Sequence, residues 1–315
     1  MRQTPSNHKI DIKTFHFGWD NTIEPVLTIA PGEVVEFDAM DAGGGQITPD
    51  SGLEDVSRID FGRVNPAFGP VFIDGAQPGD AVKITVLSLQ TEGWGWTASI
   101  PGFGLLAERF TDPALHIWKF DPSCREPAPF GPGGRVPLKP FPGIMGLAPA
   151  ETGNLSVVNP RPVGGNMDTR DLSEGTELLL PVEVEGALFS CGDGHAAQGD
   201  GEICGTAIEC PMKISLKLDL VKEASLRFPR FVTAGPVSRH FDGKGYIVTT
   251  GIGPDLMESA RNAVSDMVDH IASTFKMKDY EAYMLCSACA DLRISEIVDM
   301  PDYLVSFYFP RIVFE

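Results

Sequence analysis

A chain of 315 residues with 43% hydrophobic content has enough apolar surface for a large core, built as one big domain or two smaller ones. Its 43 acidic residues against 25 basic ones leave a net charge of −18, which repels phosphate backbones and anionic lipid and excludes nucleic acid and membrane surfaces as partners. No apolar run approaches the ~18 residues that span a bilayer, the first residues hold no signal-peptide core, and six cysteines are too few for a disulfide scaffold, so a cytoplasmic, soluble protein is expected.

The 26 prolines and 34 glycines are spread along the whole length with short apolar runs between them, the pattern of a mainly β sandwich or barrel. In chain order, strands are predicted over Val26–Ile29, Val34–Asp38, Val71–Ile73, Val82–Leu89, Glu177–Val184, Lys213–Leu220, Tyr246–Thr250 and Tyr303–Phe309. Two stretches, 40–63 and 89–163, are rich in Pro, Gly and aromatic residues with few periodic runs; the second is too long for one idle loop. Val71-Phe72-Ile73-Asp74-Gly75-Ala76 is echoed by Val182-Glu183-Val184-Glu185-Gly186-Ala187, which points to two related β units, at about 1–165 and 166–315, within a single domain. Helices are a minority near the C-terminus. Asp255–Phe275 repeats Leu256, Ala260, Ala263, Val264, Met267, Val268 and Ile271 at helical spacing behind Pro254, and a shorter helix is expected over Asp279–Leu292.

Chemistry concentrates between Ser190 and Gly205, SCGDGHAAQGDGEICG, where Asp193, His195, Gln198, Asp200 and Glu202 share one glycine-punctuated stretch. Its composition reads as a catalytic loop pinned between sheet segments. The glycines let backbone approach a ligand, and the acids and imidazole are metal ligands or proton carriers. The bland reading is an acidic surface loop, since Gly and Asp favour loops for conformational reasons alone. Cys191, beside Asp193, leaves open a thiolate nucleophile with His195 as its base. Cys286-Ser-Ala-Cys289 has redox spacing but lacks the βαβ context that such a motif needs.

Gly192 to Glu202 together with Gly205-Thr206-Ala207-Ile208-Glu209 resembles the signature of the acetamidase/formamidase family. Four other blocks follow the same order: Asp41-Ala42-Gly43-Gly44-Gly45-Gln46, Gly69-Pro70-Val71-Phe72-Ile73-Asp74-Gly75-Ala76, Pro142-Gly143-Ile144-Met145-Gly146 and Gly164-Gly165-Asn166-Met167-Asp168-Thr169-Arg170. The resemblance implies a jelly-roll-like β fold that hydrolyses short aliphatic amides, formamide and acetamide, to acid and ammonia. Mapped onto this chain, it makes Asp168, Asp193 and His195 ligands of a divalent metal, Zn²⁺ foremost with Ca²⁺ or another ion open, and Glu202 the proton carrier acting with Asp193 and His195. Asn166, Gln198, Asp41 and Gln46 become contacts to a small neutral amide, with Asp200 and Glu209 behind them. His16 with Trp19, and the Trp94-Gly95-Trp96 and Phe103 segments, are expected as walls. Gly194 is expected to leave the Asp193–His195 pair loosely held. The resemblance also implies a homo-oligomer. The readings that compete are a binding protein of the same scaffold without turnover, and a hydrolase of a longer amide or a carbamate.

Overall fold

The computed structural model describes residues 7–298 and 300–315. Each predicted strand is present, most of them longer by a residue or more than its apolar run: Leu27–Ile29, Glu33–Ala39, Ala67–Ile73, Ala81–Thr91, Glu177–Pro181, Met212–Val221, Tyr246–Gly253 and Tyr303–Pro310. Alternation drives the longest ones. In Met212–Val221, Ile214, Leu216 and Leu218 are buried while Lys213 and Lys217 face out, and each large apolar side chain so buried contributes about 1.5–3 kcal/mol.

Two large sheets share one core. The first runs His8–Ile10, Glu33–Ala39, Met212–Val221, Ala81–Thr91, Glu177–Pro181, Arg230–Val232. The second runs Pro160–Arg161, Gly164–Asn166, Phe141–Gly146, Phe189–His195, Ala67–Ile73, Phe15–His16, with Leu27–Ile29 added in parallel to Ala67–Ile73. Phe37 of the first sheet meets Phe189 of the second edge to face at 5.9 Å, and both are fully buried. Both sheets draw strands from the two halves of the chain. The two echoing segments lie side by side: Ile73 N–H donates to Gly186 O at 2.9 Å and Gly186 N–H to Ala76 O at 3.0 Å.

The 89–163 stretch is ordered, holding the hairpin Trp94–Ser99 with Ala114–Lys119, the small pair Ala128–Phe130 with Gly134–Val136, and Phe141–Gly146. The C-terminal part packs the helix Leu256–Phe275 and the helix Asp279–Cys289 against a three-stranded sheet of Tyr246–Gly253, Tyr303–Pro310 and Asp291–Glu296. Asp255 caps the long helix, accepting from Met257 N–H and Glu258 N–H. The shorter helix ends at Cys289, and Leu292 belongs to the following strand. No helix of the described residues is long and apolar enough to cross a membrane.

Candidate active site

Asp193 and His195 are not on a loop. They end the buried strand Phe189–His195, held between Phe141–Gly146 and Ala67–Ile73. Two residues apart on a strand, they point to the same side. The irregular part of the signature begins at Ala196 and doubles back, so that Ala196 N–H donates to Ile208 O and Cys210 N–H to Gly194 O. That return brings Glu209 beside His195, and Trp96 locks it there through paired backbone bonds. Gly194 tightens this region: a Cβ there would lie 2.5 Å from Cys210 O and 2.7 Å from Met212 Cβ, so glycine is the residue that lets the two segments touch. The loosening expected of Gly194 is therefore reversed.

The ligand-type atoms converge. Those of Asp168, Asp193 and His195 lie within 4.8 Å of one another, as do those of His195, Glu202 and Glu209. His195 Nε2 is 3.1 Å from Asp193 Oδ1 and 3.0 Å from Glu209 Oε2. On its other side, Nδ1–H donates to Gln198 Oε1 at 2.9 Å, while Gln198 Nε2 donates to Asp168 O at 2.8 Å. Because that second bond fixes which way the amide faces, it puts a proton on Nδ1 and turns Nε2 toward the acids. Asp168 Oδ2 accepts from Asn166 Nδ2 at 2.9 Å, and Glu209 Oε1 accepts from Ala207 N–H at 2.7 Å. Three buried oxygens of the site are left without a hydrogen-bond partner: Asp168 Oδ1, Asn166 Oδ1 and Glu209 Oε2, the last 3.0 Å from His195 Nε2.

Crowding of acids shows in their protonation. Burial, then the charge of Asp193, pushes Asp168 up to about 8. Burial pushes Glu209 up to about 7, against the pull of His195 and with the push of Asp193. Glu202 is raised well above the carboxylate range by burial and by facing Asp168. Burial works against a charged His195, but Glu209 and Asp193 overcome it and hold its pKa well above that of a free histidine. Protons thus stand in for positive charge in a group of carboxylates that has no lysine or arginine among it. The backbone is strained at the same places, with φ of 45° at Asp168, 57° at Asp193 and 42° at Glu202. Left-handed non-glycine residues of this kind cluster at functional sites.

A cavity of about 170 Å³ opens onto these groups, with Asn166, Asp168, Asp193, Glu202, Thr206 and Glu209 in its lining. Gly143 sits beneath them: a Cβ there would come within 2.5 Å of Asp193 Oδ2 and 2.6 Å of Asp168 Oδ1. Other expected site residues stand further back. Asp41 is buried and accepts from Gly43 N–H at 2.7 Å and Trp96 Nε1 at 3.0 Å; burial raises it to about 6 despite those bonds. Gln46 spends its amide on backbone, donating to Gly43, Asp60 and Arg63 carbonyls and accepting from Asp60 N–H, which pins the turn that carries Phe61. Asp200 lies 3.2 Å from Arg170 Nε. Gln198 faces His195 and backbone, outside the cavity lining. Trp96 and Phe103 are walls, whereas His16 bonds Gly18 O and Ser190 Oγ beside the buried Trp19 and lies outside the lining. Cys191 is a core thiol that burial raises well above its usual pKa, the opposite of an activated thiolate. Cys286 and Cys289 are likewise free, buried and raised.

The sequence reading missed Gly143, whose role is a matter of space, and Thr206, which lines the cavity while exchanging hydrogen bonds with Ala98. It also missed Arg170 and Asp291. Arg170 forms a two-pronged, fully buried pair with Asp291, one prong at 2.8 Å, and Asp200 N–H reaches Asp291 Oδ1 at 3.3 Å. Asp291 is 121 residues away in sequence, so no local pattern announces it.

A strained acid cluster around one imidazole, in a pocket of a β scaffold, defines a hydrolase-type centre. The chain belongs to the acetamidase/formamidase family, whose profile matches residues 4–155 and 150–315. The formamidase of Methylophilus methylotrophus is 25% identical over 367 residues, covering 95% of this chain and 89% of that protein. The crystal structure of an acetamidase from Bacillus halodurans superposes with a TM-score of 0.67 at 32% identity, covering 96% of each chain. A gamma lactamase from Delftia acidovorans shares the fold more closely, with a TM-score of 0.88 at 24% identity, covering 98% of this chain and 93% of that one. This protein is an amidohydrolase acting on linear amides.

Proposed function

We propose that the protein hydrolyses short aliphatic amides such as formamide and acetamide at the Asp168–Asp193–His195–Glu202 cluster, with a divalent cation held by Asp168, Asp193 and His195. The observation that carries this reading is the convergence of those ligand atoms within 4.8 Å around buried oxygens that lack a partner. Gly143 leaves the gap into which a side chain would otherwise intrude. The oxygen and nitrogen donors suit Zn²⁺, and Ca²⁺ less well, because calcium prefers an all-oxygen shell. Such an ion supplies Lewis acidity, bringing the pKa of a water from 15.7 to about 7.

The chain's own residues do the rest. Gln198 accepts from Nδ1–H of His195 and so holds the ring with Nε2 turned to the acids. Asn166 Oδ1, free of any partner, accepts an N–H of the substrate amide. Glu202 takes a proton from water as its oxygen bonds to the carbonyl carbon, and returns it to the nitrogen as the C–N bond breaks, so that amide and water become acid and ammonia. A cation held by Asp168, Asp193 and His195 would favour the ionised Glu202 that accepts this proton, offsetting the burial that raises it. Trp96 and Phe103 keep bulk water from the cavity. Asp41, Gln46 and Asp200 act at one remove, by holding the walls and the loop, while Glu209 faces His195 from the cavity wall. We also place the protein in the cytoplasm as a homo-oligomer; its free cysteines and its exposed Phe228, Val232 and Val298 support this.

The test is ammonia release from formamide and acetamide. Exhaustive chelation is expected to abolish it and Zn²⁺ to restore it, and Glu202→Gln to lower kcat by about 10²–10⁴-fold. Full activity after chelation removes the metal from this account, and full activity in Glu202→Gln removes its proton relay.

A further inference from the structure

We infer that the cavity takes primary amides with a branched or ring-bearing apolar acyl group, beyond the one- and two-carbon acyl groups of formamide and acetamide. This rests on the amidase reading and concerns what the same site selects. Its volume is about 170 Å³. An apolar cavity of about 150 Å³ holds a benzene molecule, whereas acetamide offers only one methyl to such a space.

The lining divides into two sets. Asn166, Asp168, Asp193 and Glu202 face one another as described above. The second set is apolar: Ile59, Phe61, Val64, Ile100 and Phe103 all line the cavity, and Phe61 meets Phe103 edge to face at 5.6 Å. With the substrate amide drawn to the unpartnered Asn166 Oδ1 and the acids, the acyl group is left to the apolar set. That set is fixed in advance. Gln46 clamps the turn under Phe61 at both ends, through Asp60 N–H at 2.8 Å and Arg63 O at 3.3 Å. A prearranged apolar wall favours whatever fills it, since each methylene buried there is worth about tenfold or more in kcat/KM.

The experiment compares ammonia release from acetamide, isobutyramide and benzamide by the purified protein, with and without added Zn²⁺. The expected result is a kcat/KM for isobutyramide and benzamide at least about tenfold above that for acetamide. Phe61 is half-exposed at the mouth, so Phe61→Ala leaves the core untouched, and it is expected to lower the benzamide-to-acetamide ratio several-fold. Acetamide equal to or better than the bulky amides, or a ratio that Phe61→Ala does not move, overturns the inference and leaves the amidase reading standing. No ammonia from any of the three overturns both.

Discussion

Asp41 shows how a single side chain couples burial to pH. Its carboxyl is 2% exposed and raised to about 6, so the folded chain binds its proton more tightly than the unfolded chain, in which an aspartate titrates near 4. The stability it contributes is therefore fully present below about pH 4 and is lost as pH rises through about 6, a loss of about 3 kcal/mol. Asp41→Asn keeps an oxygen for Gly43 N–H and Trp96 Nε1 but carries no proton equilibrium. Denaturant unfolding is expected to show Asp41→Asn gaining on the parent protein by about that amount between pH 4 and pH 7. An offset between the two proteins that stays constant across this range would deny the coupling. At this scale the sequence was informative: Asp193, His195 and Glu202 stand in one glycine-rich run, and in the structure Asp193 and Glu202 line one cavity with Asp168 while His195 lies beside them, outside the lining. It was uninformative about Gln198 and Gln46, because an amide's partners are decided by the fold and not by its neighbours in the chain.

The strand Phe141–Gly146 does the most at the level of elements, and it was the hardest to read. With Pro142, Gly143 and Gly146 among its six residues it has Ile144 as its one β-branched residue, and central strands rarely carry proline. Its value lies in what it leaves out. The Gly143 backbone lies outside the left-handed region, so Gly143→Ala changes only the space beneath Asp168 and Asp193. That substitution is expected to cost about 1–3 kcal/mol through overpacking and to weaken binding of the proposed cation, tested with Zn²⁺, about 10–100-fold by shifting both carboxylates. Thermal unfolding and metal titration measure the two effects separately; unchanged metal affinity would show that the acids move aside freely. The alternating strands, by contrast, were legible to within a few residues, because Ile214, Leu216 and Leu218 must share a face wherever that strand lies.

Across the whole molecule, a buried ion pair is one of the ties that join the C-terminal helices and sheet to the β core, beside hydrogen bonds such as Cys204 N–H to Ser287 Oγ. Asp291, at the start of the strand Asp291–Glu296, holds Arg170, two residues beyond Asp168, and also the backbone of Asp200, two residues before Glu202. Two arms of the site thus hang from a carboxylate that never reaches the cavity. Arg170→Met leaves the buried Asp291 charge with only the part-exposed Arg293 as its cation and is expected to destabilise the protein by about 3 kcal/mol; combining it with Asp291→Leu should recover most of the loss. Denaturant midpoints of the single and double variants decide this, and a double variant no better than the single one would show that the pair's value is not electrostatic. The mainly β class and the minority of C-terminal helices were readable from composition and period. This long-range tie was not, since opposite charges 121 residues apart look like any others on a chain with 43 acids.

The left-handed backbone at Asp168, Asp193 and Glu202 has a practical consequence for anyone breeding tougher versions of this enzyme. Each of these positions costs of order 1–3 kcal/mol in conformation alone, and mutual repulsion among the acids adds to it. Glycine at any of them would relieve the cost, so a screen rewarding heat resistance alone would strip the chemistry out first and leave a sturdy, inert shell. Survivors of such a screen need to be sorted by turnover at every round.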